Sequence, residues 1–163
     1  MFRKQNPPPG SQPGTLAIAA RAAAPRIHVM IYSPKLCEEH DVAEVASLKD
    51  FLRDGSVTWI DVQGLGDEAV LKSIAAQFQI HPLILEDIVN VPQRPKIETT
   101  PDYSCLICWM ARLQAEDQLD QEQVSILVGR NFVLTFQERY GDVFDPIRTR
   151  IRQGGPIIRG SGA

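Results

Sequence analysis

Apolar and polar residues alternate along this chain with two different periods. The run Arg26-Ile27-His28-Val29-Met30-Ile31-Tyr32 reads as a first strand, after an Ala-rich stretch that Pro25 closes and that could form a short helix. Asp41 to Arg53 reads as an amphipathic helix, with Val42, Val45, Leu48 and Leu52 at helical spacing and Asp54-Gly55 ending it. Val57 to Val62 is β-branched and aromatic, a second strand. Asp67 then caps a helix through Phe78 that buries Val70, Leu71, Ile74 and Phe78, and His81-Pro82 opens a short helix ending near Asn90, before Pro92.

In the second half the period changes. Lys96–Thr99, Ser104–Leu113, Gln123–Val128 and Phe132–Gln137 read as strands, with Gly129-Arg130-Asn131 as a hairpin between the last two. A closing helix from Val143 to Arg152 presents Val143, Phe144, Ile147 and Ile151 for packing. This order predicts an α/β domain, a layered α/β/α sandwich with a mixed parallel/antiparallel sheet. Residues 1–25 read as a disordered Pro/Ala-rich tail and residues 26–163 as the domain.

Composition narrows the function classes. With 44% hydrophobic and 23% charged residues, the 163-residue chain can bury the core of one domain. A net charge of -3 argues against a dedicated nucleic-acid binder. The charge is unevenly spread: residues 28–138 hold 18 acids against 8 Lys and Arg, while both ends are basic. That is either a solvated acidic surface or one that attracts cations. The longest apolar run, Cys105 to Ala111, falls far short of the ~20 residues of a spanning helix. No signal peptide is visible, and Cys37, Cys105 and Cys108 are an odd count that suits a reducing compartment.

Most familiar chemistry finds no support. Cys105-x-x-Cys108 lies on a strand, where residues three apart point to opposite faces, so the pair reads as buried thiols rather than a metal clip. Gly64-x-Gly66 lacks the third glycine of a dinucleotide turn, Ala69 standing there, and reads as a strand-to-helix connection. His28, His40 and His81 are scattered; His81 reads as a helix-start residue. No nucleophile motif occurs, which counts against an enzyme.

Glu86 and Asp87 are the unusual feature. They are adjacent at the edge of an apolar helical stripe, where neighbouring carboxylates repel and are costly to desolvate. Salt bridges to Arg94 or Lys96 would relieve them, and so would a hard divalent cation, Mg²⁺ or Ca²⁺. Mg²⁺ keeps several waters and requires only one or two carboxylates, so a partner surface could complete such a site.

The segment Ile80 to Glu98 closely resembles the CorA family of magnesium and cobalt transport proteins, whose cytoplasmic domain carries I-H-P-L-x-L-E-D-I-x-N-x-x-Q-R-P-K-x-E. Further blocks match in order: Glu122-Gln123-Val124-Ser125, Gly129 to Glu138, and Gly141-Asp142-Val143-Phe144-Asp145-Pro146-Ile147-Arg148 through Arg150-Ile151. Trp59-Ile60-Asp61-Val62 is similar to the family's second strand. The resemblance implies the N-terminal cytoplasmic sensing and gating domain of a homopentameric Mg²⁺ channel at the cytoplasmic face of the inner membrane. Co²⁺ is the second candidate ion, and zinc transport relatives share the architecture. The family's stalk helix, membrane helices and Gly-Met-Asn signature are expected beyond the present chain, which by itself is expected to be a monomer or weak oligomer.

The resemblance also gives the acids a role. An acid at the position of Asp87 faces an acid of the neighbouring subunit's stalk with Mg²⁺ between them, and Glu86 belongs to a second site nearby. High intracellular Mg²⁺ then favours the closed state, and loss of the ion leaves acids that repel. The competing readings are a small α/β hydrolase and a standalone protein–protein adaptor.

Overall fold

A computed structural model describes residues 7–113 and 119–160, and among them seven strands form one sheet. The strands are β1 (Arg26–Ser33), β2 (Leu36–Val42), β3 (Val57–Gln63), β4 (Lys96–Thr99), β5 (Tyr103–Leu113), β6 (Leu119–Gly129) and β7 (Phe132–Gln137). Their order is β2-β1-β3-β7-β6-β5-β4, with β3 and β7 parallel and each other neighbouring pair antiparallel. The helices are α1 (Glu68–Phe78), α2 (Pro82–Val89), α3 (Asp145–Gln153) and the short α4 (Pro156–Gly160), with a 3₁₀ turn over Val45–Phe51.

The parallel seam decides the layering. A strand in the middle of a mixed sheet needs cover on both faces, and in β3 every residue from Val57 to Val62 is buried. Alternation sends Ile60 and Val62, paired with Leu134 and Phe136 of β7, into the cluster that holds Leu71, Ile74, Phe78, Ile84, Leu85 and Ile88 of α1 and α2. It sends Val57 and Trp59 to the other face, where they meet Met30, Tyr32, Ile151 and Phe144. The result is the α/β/α sandwich with a mixed sheet that the pattern predicted.

Local chemistry sets the two central helices. Asp67 Oδ1 accepts from the Val70 N–H at 3.0 Å, satisfying a donor that a helix N-terminus would otherwise leave free. His81 caps α2 in the same way through Nδ1, at 3.2 Å from the Leu83 nitrogen, and Pro82 stands where its missing N–H costs nothing. Leu71 is fully buried, so truncating it would cost about 2–5 kcal/mol.

Three sequence expectations change. The helix expected over residues 41–53 is instead the end of β2 at Val42 followed by the 3₁₀ turn. Pairing with β1 from Ile27↔Val42 to Ser33↔Leu36 claims Leu36–Val42, and the i, i+3 spacing of Val45 and Leu48 serves a 3₁₀ turn as well as an α-helix. Leu48 is fully buried there. The closing helix begins at Asp145 rather than Val143, and its sheet-facing side carries Arg148 and Ile151 while Val143 and Ile147 are exposed. The Ala-rich stretch before Pro25 forms no helix; Leu16 and Ile18 pack against the core from an irregular path. Residues 1–6 of the expected tail lie outside the described residues.

Candidate cation-binding site

Because α2 buries Ile84, Leu85, Ile88 and Val89, Glu86 and Asp87 between them fall on the half-buried rim of the helix. Asp87 keeps 26% of its side chain exposed and accepts from Lys96 Nζ at 2.5 Å. The same ammonium donates to Glu98 Oε1 at 2.6 Å. Strand β4 makes this possible, since residues two apart project from one face. Burial disfavours the Lys96 charge, but the hydrogen bonds and charges of Asp87 and Glu98 prevail and hold its pKa above the ordinary lysine value. Glu86 turns elsewhere: its Oε2 accepts from the Gly14 N–H at 2.7 Å.

A network of amides fixes the end of α2. Gln123 of β6 donates Nε2 to the Asp87 and Ile88 carbonyls at 3.2 and 3.4 Å, and its Oε1 accepts from the Gln93 N–H at 2.7 Å. Gln93 Nε2 reaches the Asn90 carbonyl at 3.0 Å, and Asn90 Oδ1 accepts from the Ala17 N–H at 2.7 Å. Gln123 is in turn held through its own N–H by Glu138 Oε1 at 2.9 Å, while Glu122 Oε1 accepts from the Arg139 N–H at 2.7 Å. Burial pushes the Glu122 carboxyl above its ordinary range. Gln93, Gln123 and Glu138, from three separated segments, thus meet around one helix end.

A second acidic cluster lies across the sheet. Arg148 donates to Asp61 Oδ2 at 2.6 Å, to both oxygens of Asp142 at 2.5 and 2.7 Å, and to Asp145 Oδ1 at 3.1 Å. Its guanidinium lies 4.8 Å from the Trp59 ring centroid, and Trp59 Nε1 donates to Thr135 Oγ1 at 3.0 Å. Asp61 also accepts from Thr135 Oγ1 at 2.5 Å, Gln137 Nε2 at 2.6 Å and Gln63 Nε2 at 2.9 Å. Burial pushes the Asp61 carboxyl up, whereas at Asp142 burial is outweighed by Arg148, which holds that carboxyl below its ordinary range. Asp61 and Asp142 are saturated with donors and sealed in the interior, while Asp145 stands at the surface. They serve the fold.

The remaining candidates have structural partners. His28 meets Asp41 at 2.9 Å and Glu39 at 3.0 Å, and Glu39 accepts two hydrogen bonds from Arg152. Burial drives the Cys105 thiol up to about 12, leaving it inert inside the core. Cys108, three residues on, has the opposite strand face. Lys96 answers Asp87, as one of the two expected basic partners; Arg94 is exposed. Sequence reasoning missed Glu98, Gly14 and Gln123. The Lys96-x-Glu98 spacing on a strand was a usable signal, but Gly14 and Gln123 come from distant segments.

Among the described residues no three His, Cys, Asp or Glu side chains converge to hold a metal ion. The donor chemistry nonetheless suits a hard cation. Asp87 and Glu86 offer carboxylate oxygens at a partly open rim, and Mg²⁺ accepts one or two such ligands with water completing its shell. Because their oxygens are turned to different partners, the two acids present two adjacent points of attachment rather than one cage. Among the described residues no helix is long and apolar enough to cross a membrane.

Comparison with known proteins finds relatives of this chain. The cobalt/magnesium transport protein CorA of Thermotoga maritima is 40% identical over 152 residues, covering 92% of this chain and 43% of the relative. This chain therefore spans less than half the length of that relative. Among solved structures, full-length CmaX matches with a TM-score of 0.59 at 11% identity, over 80% of this chain and 40% of that one. The soluble domain of CorA from Methanocaldococcus jannaschii matches with a TM-score of 0.50 at 16% identity, over 78% of this chain and 47% of that one. Both likenesses concern the fold. The family of CorA-like Mg²⁺ transporter proteins matches residues 54–161, which include α2, β4 and the Arg148 cluster, and this chain belongs to that family.

Proposed function

We propose that this domain is the cytoplasmic sensing and gating part of a Mg²⁺ transporter, with Asp87 and Glu86 as the residues that answer to the intracellular ion. The observation that carries the reading is Asp87: a carboxylate on a helix rim, still 26% exposed, paired with a lysine that it shares with Glu98. Such a group can exchange its partner without unfolding anything. A divalent cation would supply positive charge between Asp87 and an acid of a neighbouring subunit in a homopentamer. The residues of this chain then do two things: Gln123 and Gln93 hold the end of α2 in place, and Asp87 presents oxygen outward. Ion binding can shift the assembly toward its closed arrangement only as far as it binds that arrangement more tightly.

The relatives named above support a transport role rather than catalysis. The Thermotoga relative is named for cobalt as well as magnesium, which makes Co²⁺ the second candidate ion. The proposal places the domain at the cytoplasmic face of the cell membrane, with this chain alone a monomer or weak oligomer. The test is Asp87→Lys in the complete transporter, read as the protection from protease that millimolar Mg²⁺ confers. The substitution is expected to abolish that protection; full protection at unchanged Mg²⁺ overturns Asp87 as a sensor.

A further inference from the structure

The segment from Gly14 to Ala24 lies on the domain as a strap, and its anchors are specific. Gly14 donates to Glu86, Ala17 donates to Asn90, the Ala23 carbonyl accepts from the Gly66 N–H at 2.7 Å, and the Ala24 carbonyl accepts from Tyr140 Oη at 2.7 Å. Gly64-x-Gly66, which looked like a plain connection, is where the strap crosses. A Cβ on Gly66 would stand 2.4 Å from the Ala22 carbonyl oxygen, and one on Gly64 2.5 Å from that of Ala24. At the other end Gly14 has φ +85°, and a Cβ there would meet Pro82 Cβ at 2.9 Å. Only glycine lets the strap backbone approach this closely.

We infer that this strap competes with the cation for Glu86: while it is docked the Gly14 N–H occupies Glu86 Oε2, and cation binding there releases it. The inference rests on the reading of Glu86 as a cation ligand. The two partners oppose each other at that oxygen, because an ion bound to Oε2 would face the partial positive charge of the amide hydrogen across the same atom. The strap is also fit to move. Beside its middle a cavity of about 310 Å³, walled by Ala19, Ala22, Leu65, Val89 and Val91, leaves Ala19 and Ala22 loosely packed, while Leu16 and Ile18 rest on the core. Docking thus lowers the apparent cation affinity of Glu86 by the fraction of molecules in which the strap is off. It couples residues 14–24, at the edge of the domain, to the acidic pair on α2.

The test is a Mg²⁺ titration of the whole chain followed by amide NMR at α2, with tryptic cleavage after the exposed Arg21 as an independent measure of strap release. Added Mg²⁺ is expected to speed cleavage of the native chain. Gly66→Ala, which leaves Glu86 untouched, is expected to be cut rapidly without Mg²⁺ and to bind the ion about tenfold or more tightly, as for a strap docked ~90% of the time. Adding Glu86→Gln to Gly66→Ala is expected to remove that gain. Should Gly66→Ala not fold, Gly14→Pro deletes the donated N–H instead. Rapid cleavage with unchanged, Glu86-dependent affinity overturns the competition and leaves the cation reading standing. No Mg²⁺ response at α2 once the strap is released overturns Glu86 as a ligand, and the competition with it.

Discussion

Lys96 binds two carboxylates and Arg148 three, yet the two sites differ in kind. Around Arg148 the carboxylates come from β3 and from the segment leading into α3, the side chains of Asp61 and Asp142 are each 1% exposed, and Asp61 alone accepts from four side chains. Around Lys96 the carboxylates are 26% and 46% exposed, and water has access to all three groups. A buried charge cannot lose its partner without a large desolvation penalty, whereas an exposed one exchanges its partner for water or an ion at little cost. The acids that look most heavily engaged are therefore the ones that cannot take part in signalling. Ligand exchange belongs to the loosely paired site on α2.

The comparison breaks most visibly at Arg148. Arg148→Met leaves Asp61 and Asp142 buried without their counter-charge, and is expected to lower stability by about 3–5 kcal/mol. A shift of the urea midpoint near neutral pH measures it, and a change under ~1 kcal/mol would remove the distinction between the two sites.

Asp87→Asn sharpens the contrast from the other side. Lys96 retains Glu98, so the same urea experiment is expected to show a change within about 1 kcal/mol. A loss as large as that at Arg148 would mean that the α2 pair is structural too.

The smallest effect is the pH dependence of the β2–α3 clamp. The Arg152 hydrogen bond, offset by burial and assisted by His28, lowers Glu39 from 4.5 to about 2. A depressed carboxyl contributes stability that is present above its unfolded value and lost as pH falls through the folded one. The stability difference between the native chain and Glu39→Gln should therefore be constant above pH 4.5 and shrink toward pH 2. Because the ion pair is largely exposed, only the shape of that difference is diagnostic.

Legibility from sequence followed the range of the forces involved. The caps Asp67 and His81, the strand run at β3 and the hairpin at Gly129-Arg130-Asn131 depend on neighbours a few residues away, and each was readable. The segment over 41–53 was not, because its first two residues join a strand that exists only through pairing with β1 and the rest winds as a 3₁₀ turn. Arg148 was missed for a similar reason. Helical spacing nominated Ile147 for the interior, and only the buried Asp61 on the facing strand makes an arginine stable there.

The candidate site divides the same way. Adjacent acids beside an apolar stripe marked Glu86 and Asp87 from the residue order alone, since helix periodicity dictates which positions reach the rim. Which donor each acid meets depended on chain closure over long separations: Gly14 reaches Glu86 across 72 residues and Gln123 reaches the Asp87 carbonyl across 36. By itself the sequence determined the layered class, the caps and the acidic pair, all products of local period and propensity. The tertiary structure alone decided that one acid faces a lysine and the other a backbone amide. Hydrogen bonds between distant segments are selected by how the layers pack, and no local pattern encodes them.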